Sequence, residues 1–166
     1  MNGALLLALR LVHILAGTFW VGGVFIAGLF ILPAVRAVGP AAMPVMQHIM
    51  LRRRLAVYLP ISAVLSVLAG VILYGRNMSL TAGAWGRSPM GMGMTFGAAS
   101  AILALVFGMG VSAPAAKKLA SAAGPGGLPL SDDVRARLTR RAAVGSTGSM
   151  LFLAIATVAM AIARYL

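Results

Sequence analysis

The sequence predicts an all-α integral membrane four-helix bundle, and three observations lead there. Four apolar runs are each long enough to cross a bilayer, charged residues are scarce, and most of the charges lie between the runs. Apolar residues make up 61% of the 166-residue chain and charged residues 10%, against roughly 45–50% and about 25% in soluble domains. So few charges cannot cover the surface of a soluble domain, and the solvent for most of this chain is therefore lipid. The length allows one membrane domain, 1–166, and no second.

A membrane-crossing helix takes about 20 largely apolar residues. Spans are expected over about 5–32, 55–74, 90–113 and 142–162. In hydrocarbon each backbone N–H must be satisfied within its own segment, which selects helices over open strands. The stretch Leu11–Pro33 carries no charge; it exceeds the roughly 7–15 residues of a signal peptide's apolar core and reads as a retained helix. The first run is longer than a bilayer needs, so it tilts or projects from one face. In the third connection, Gly124-Pro125-Gly126-Gly127 reads as loop. Ser131 reads as an N-cap, with Asp132 and Asp133 on the positive end of a short basic helix that runs into the fourth span.

The net charge of +12 comes from 14 Lys and Arg against two acidic residues. Ten of the cations lie in the first and third connections: Arg36 and Arg52–Arg54 in one, Lys117, Lys118, Arg135, Arg137, Arg140 and Arg141 in the other. Four, Arg10, Arg76, Arg87 and Arg164, belong to the opposite side. The positive-inside rule then sets both termini on the outer, periplasmic side of a bacterial inner membrane. The same charges suit anionic headgroups, so the expected partner is the lipid bilayer, and nucleic acid is not expected. Gly93, Gly97 and Ala101 form a ridge of small residues that suits another span, a second copy in a homo-oligomer or a membrane-complex partner. There is no cysteine, so disulfides, thiolate metal sites and iron–sulfur clusters are excluded.

His13 is the most informative residue, because ionisable groups inside a span mark function by default. Neutral imidazole is a ligand for haem iron or copper; the alternative is a histidine hydrogen-bonded to a neighbouring helix. Trp20 follows two turns later on nearly the same face, among Gly17, Gly22, Gly23 and Gly28. Those glycines serve close helix packing or leave room for a flat cofactor. Met90, Met92 and Met94 open the third span on the His13 side, and thioether sulfur suits Cu(I) or an axial haem position. Residues two apart on a helix point about 200° from each other, so the three methionines converge on one ion only if the helix unwinds. His48, beside Arg52–Arg54, is expected at the inner surface; the arginines there suit a propionate or a phosphate. No span carries a carboxylate and no phosphate-binding glycine loop is present, which disfavours a hydrolase, a nucleotide-driven pump and a proton-coupled carrier.

The arrangement Arg10-x-x-His13, then Trp20-x-x-Gly23, within LRLVHILAGTFWVGGVFIAGLFILPAV resembles the first helix of the copper-resistance D (CopD) family and of the HemJ-type membrane protoporphyrinogen oxidases. The stretch MQHIMLRRRLAVYLPISAVLSVLAGVIL resembles the second helix of the HemJ type, so the likeness covers about residues 5–75. It implies a four-helix membrane fold with His13 as ligand of haem b. It also implies Arg10 where the HemJ type has lysine, with Arg53 and Arg54 as the paired arginines. At the third helix the chain departs from the HemJ pattern: Trp85 is followed by Gly86, Arg87 and alternating Met and Gly. That departure weighs against protoporphyrinogen oxidation and toward the broader CopD-like group. The expected cofactor set is His13, Arg10, Trp20, Arg53 and Arg54 around haem b, in membrane redox chemistry. Copper held by His13 with Met90, Met92 and Met94 is the alternative, and a non-catalytic structural subunit of a larger membrane complex is the third reading.

Overall fold

The computed structural model describes residues 2–123 and 128–166, and all regular structure among them is helical. Four helices are long and apolar enough to cross a membrane. The glycine–proline loop expected at 124–127 lies outside the described residues.

Helix α1 runs Gly3–Ile26, passes through a π turn at Ala27–Ile31 and ends over Leu32–Val38. The Asn2 side chain caps it, accepting from the Leu5 N–H at 2.9 Å. A helical connection over Met43–Gln47 and His48–Arg52 breaks at Arg54, whose φ of 56° is left-handed. Helix α2 then runs Leu55–Leu80 with Pro60 in its second turn. It stops in a Schellman arrangement, in which the Gly83 N–H reaches the Met78 carbonyl at 2.9 Å with Ala82 and Gly83 both at positive φ. After a short turn of helix at Ala84–Arg87, the Ser88 hydroxyl accepts from the Gly91 N–H at 3.1 Å, and Pro89 opens helix α3. Helix α3 runs Pro89–Leu105, a π turn at Val106–Ser112 and Ala113–Ala123. Helix α4 is continuous over Asp132–Ile162.

The helices outrun the apolar stretches that predicted them. Hydropathy ends where charges begin, whereas intrahelical hydrogen bonding continues into the interface, so Arg36, Lys117, Lys118 and Arg135–Arg141 lie on helix. Asp132 and Asp133 sit in the first turn of α4 as expected. Ser131 has the extended backbone of an N-cap, but its side chain makes no capping bond; its carbonyl accepts the first intrahelical hydrogen bond, from Arg135 N–H at 2.9 Å.

The π turns at Ala27–Ile31 and Val106–Ser112 have a physical cause. A proline ring clashes with the carbonyl four residues before it. For Pro33 that residue is Leu29, and for Pro114 it is Gly110; each falls inside a π turn, where the widened backbone gives the ring room.

The chain folds as two tight helical hairpins, α1 with α2 and α3 with α4, joined through a thinner interface. Glycine sets the closeness within each pair. A Cβ at Gly23 would meet the Leu59 side chain at 2.5 Å, and one at Gly145 would meet the Ser112 backbone nitrogen at 2.5 Å. Gly93 and Gly97 of the small-residue ridge pack within the chain, against Ala163 and Met160. Between hairpins, Gly28 backs onto Met150 and Ser146, and the Tyr74 and Thr95 hydroxyls share a hydrogen bond of 2.7 Å. Trp20, Ala63, Ala104 and Leu153, one from each helix, form the central core. One end of the bundle carries both termini and the Thr81–Ser88 turn; the other, the basic end, carries the Gly39–Arg54 connection and the starts and ends of α4 and α3.

Candidate functional site

His13 is half-buried on α1, and its ring is held by α2. Nδ1 lies 2.8 Å from the Ser66 backbone carbonyl. A carbonyl only accepts, so Nδ1 carries the proton of the neutral ring and Nε2 keeps a free lone pair. The Ser66 hydroxyl donates to the His13 carbonyl at 3.0 Å, which ties the two backbones together at the same point. Nε2 has no hydrogen-bond partner among the described residues. Among the described residues no enclosed side-chain nitrogen or oxygen goes without a partner, so Nε2 is open to a group from outside the chain. A ring N–H donated to a carbonyl, with the other nitrogen presented, is the posture of a metal-binding histidine.

The ring occupies space that glycine provides. A Cβ on Gly70 would stand 2.9 Å from His13 Cε1 and 3.0 Å from Nδ1, and one on Gly17 would stand 2.9 Å from Ser66 Oγ. Side chains at these two positions would displace the imidazole or the hydroxyl that fixes it.

Register places the rest of the layer. From the core residues Trp20, Ala63, Ala104 and Leu153, seven positions toward the terminal end lead to His13, Gly70, Gly97 and Met160. All four stretches are regular α-helix, so two turns, about 10 Å of rise, bring each chain back to nearly the same inward face. Two close approaches tie the layer together: His13 rests on Gly70, and Met160 rests on Gly97, where a Cβ would lie 2.7 Å from Met160 Cγ. The layer thus holds one imidazole and one thioether, each seated on a glycine of its hairpin partner.

The structure gathers only some of the residues singled out by sequence. Trp20 is 6% exposed and packs in the central core, as a floor two turns below His13. Arg10 is exposed, one turn from His13 toward the terminal end. Arg53 and Arg54 are exposed at the basic end, roughly 25 Å along the α2 axis from the level of Gly70. His13 and the paired arginines are therefore not brought together, because most of a span lies between them. His48 is exposed at the same basic end. Helix α3 does not unwind at its start, so Met90 and Met94 share a face while Met92 lies on the opposite side. Met90 and Met92 are exposed; Met94 is half-buried, one turn from the Gly97 level. Among the described residues no three of His, Cys, Asp or Glu gather into a metal cluster.

Ser66, Gly70 and Met160 did not emerge from sequence reading. Ser66 and Gly70 carry a local signal, small residues four apart on an apolar helix. Met160 carries none; it is one of eleven methionines, and only the pairing of four antiparallel helices assigns it to the histidine layer. No family model, curated protein or solved structure matches this chain.

Proposed function

We propose that this chain is a multi-pass protein of the bacterial inner membrane, of the CopD/HemJ-like kind, that binds haem b through His13 and serves membrane redox chemistry. The observation that carries the reading is the His13 ring itself. Its Nδ1–H is committed to the Ser66 carbonyl at 2.8 Å and its Nε2 is unclaimed. An imidazole whose only task was to join two helices would need no glycine at 70, because a surface hydroxyl or amide could make the same bond. The ring also fits the expected group chemically, since neutral imidazole is a common axial ligand of haem iron.

The chain's own residues divide the work. Ser66 fixes the tautomer and orientation of His13. Gly70 and Gly97 seat the His13 and Met160 side chains, and Trp20 closes the layer toward the centre of the membrane. Arg10, one turn away, supplies a cation suited to a propionate. Arg53 and Arg54 fall outside this set and serve the basic end. Haem bound at His13 would supply one-electron redox chemistry. With ten cations at the basic end against four at the other, the positive-inside rule supports both termini facing the periplasm.

Copper handling is the second reading, favoured by the half-buried Met94 and Met160 near the His13 level, since thioethers select Cu(I). The test is an absorption spectrum of protein purified in mild detergent, oxidised and dithionite-reduced, with elemental analysis. Haem gives a Soret band that His13→Ala abolishes; a band unchanged in that variant removes His13 as ligand. Stoichiometric copper without a Soret band favours the second reading. With neither present, the chain is read as a structural subunit of a larger membrane complex.

A further inference from the structure

We propose that Met160 is the second donor of the His13 site, so that the bundle offers a mixed imidazole–thioether pair to a soft, electron-rich metal centre. The inference rests on the reading of His13 as a ligand and adds the residue that completes it. The sequence offers no second histidine within a span, and His48 is exposed at the basic end. A metal at Nε2 must therefore remain open on its far side or find another kind of donor.

Met160 is that donor by position. It lies seven residues beyond the core residue Leu153 on α4, as His13 lies seven before Trp20 on α1, and the two helices run antiparallel. Both side chains belong to one layer, to within about a turn. Gly28 of α1 against Ser146 and Met150 of α4 gives the register of this helix pair directly. Carried fifteen residues along both helices, it sets His13 opposite residues 161–165, within about a turn of Met160, and Ala163 in that stretch is fully buried with no donor atom.

Met160 is also right by chemistry and by mobility. A thioether pairs with imidazole at haem iron, where it raises the reduction potential, and it selects Cu(I) among free ions. The side chain rests on Gly97 and is half-buried. Rotation about its first two side-chain bonds re-aims the sulfur, and methionine is the most adaptable of the apolar side chains. The glycine at 97 that receives Met160 matches the glycine at 70 that receives His13, and both donors are thereby free of wedging by a neighbouring Cβ.

The test uses the full chain in mild detergent, loaded with haem b or with Cu(I), comparing wild type with Met160→Leu, Met160→His, Met94→Leu and His13→Ala. Leucine keeps the apolar volume of methionine, so folding is preserved while the sulfur is lost. With haem, wild type should be six-coordinate and low-spin. Met160→Leu should become five-coordinate and high-spin with at least tenfold weaker binding, Met160→His should restore the low-spin form, and Met94→Leu should match wild type. With Cu(I) alone, Met160→Leu should weaken binding at least tenfold in a chelator competition. A wild type already five-coordinate, or a Met160→Leu protein with unchanged spectrum and affinity, overturns Met160 as donor; if His13→Ala still abolishes binding, the His13 reading survives. Binding of neither haem nor Cu(I) by wild type overturns both.

Discussion

Gly70→Ala is the substitution through which the geometry of the site can be weighed. The added Cβ would stand 2.9 Å from Cε1 and 3.0 Å from Nδ1 of His13, where ordinary carbon contacts are about 3.5–4.0 Å. The ring must retreat by roughly half an ångström or more, and the 2.8 Å bond from Nδ1 to the Ser66 carbonyl stretches with it. Losing that bond costs roughly 0.5–1.5 kcal/mol, and overpacking adds about 1–3 kcal/mol. Alanine's better helix propensity offsets about 1 kcal/mol of this. The net expectation is a destabilisation of about 0.5–3.5 kcal/mol, read by reversible unfolding in mixed detergent micelles with tryptophan fluorescence, to which the core residue Trp20 contributes. Gly22 and Gly75 have no neighbour within 4 Å of a built Cβ, so alanine there should be neutral or mildly stabilising. The decisive comparison is the double mutant. With His13→Ala in the background the clash partner is gone, so Gly70→Ala should lose most of its cost, a coupling of about 1 kcal/mol or more. Equal cost in both backgrounds would refute the claim that Gly70 exists to seat the imidazole.

Three further outcomes follow from the same packing. Ser66→Ala removes the hydroxyl bond to the His13 carbonyl but leaves the Nδ1 bond to the backbone, so unfolding should shift by only about 0.5–1 kcal/mol. Gly145→Ala should be costlier than Gly148→Ala, by about 1 kcal/mol or more. A Cβ at 145 meets the Ser112 backbone, which cannot turn aside, whereas one at 148 meets the ring of Phe107; similar unfolding midpoints for the two variants would contradict this. The chain has no cysteine, so single cysteines report topology without a background. Ala84→Cys should react with a membrane-impermeant maleimide from the periplasmic side and Arg137→Cys only after permeabilisation; the reverse pattern would invert the proposed orientation.

The number of spans was legible because hydropathy is a property of composition, and four apolar runs with charges between them admit few other arrangements. The helix ends were less so. Residues 33–38 and 114–123 are helical although their hydropathy falls away, because a helix begun in lipid continues through the interface once its hydrogen bonds are in train. The π turns at Ala27–Ile31 and Val106–Ser112 had a visible cue in Pro33 and Pro114, but a proline ends a helix as readily as it widens one, and the choice depends on what packs beside it.

By itself the sequence determined that four runs are long and apolar enough to cross a membrane, that basic residues are unequally shared between their two ends, and that His13 is the one histidine within these runs. Each of these depends on residue type and order along one segment. Tertiary structure decided which residues stand around His13: Ser66 and Gly70 beneath its ring, Met160 in its layer, Trp20 as the floor, and Arg53 and Arg54 a span away. The physical reason is that apolar helices of similar hydropathy slide and rotate against one another at little cost in transfer energy. Their register is set by local close approaches, glycine against serine, leucine, methionine or backbone, and these exist only once two particular helices have met.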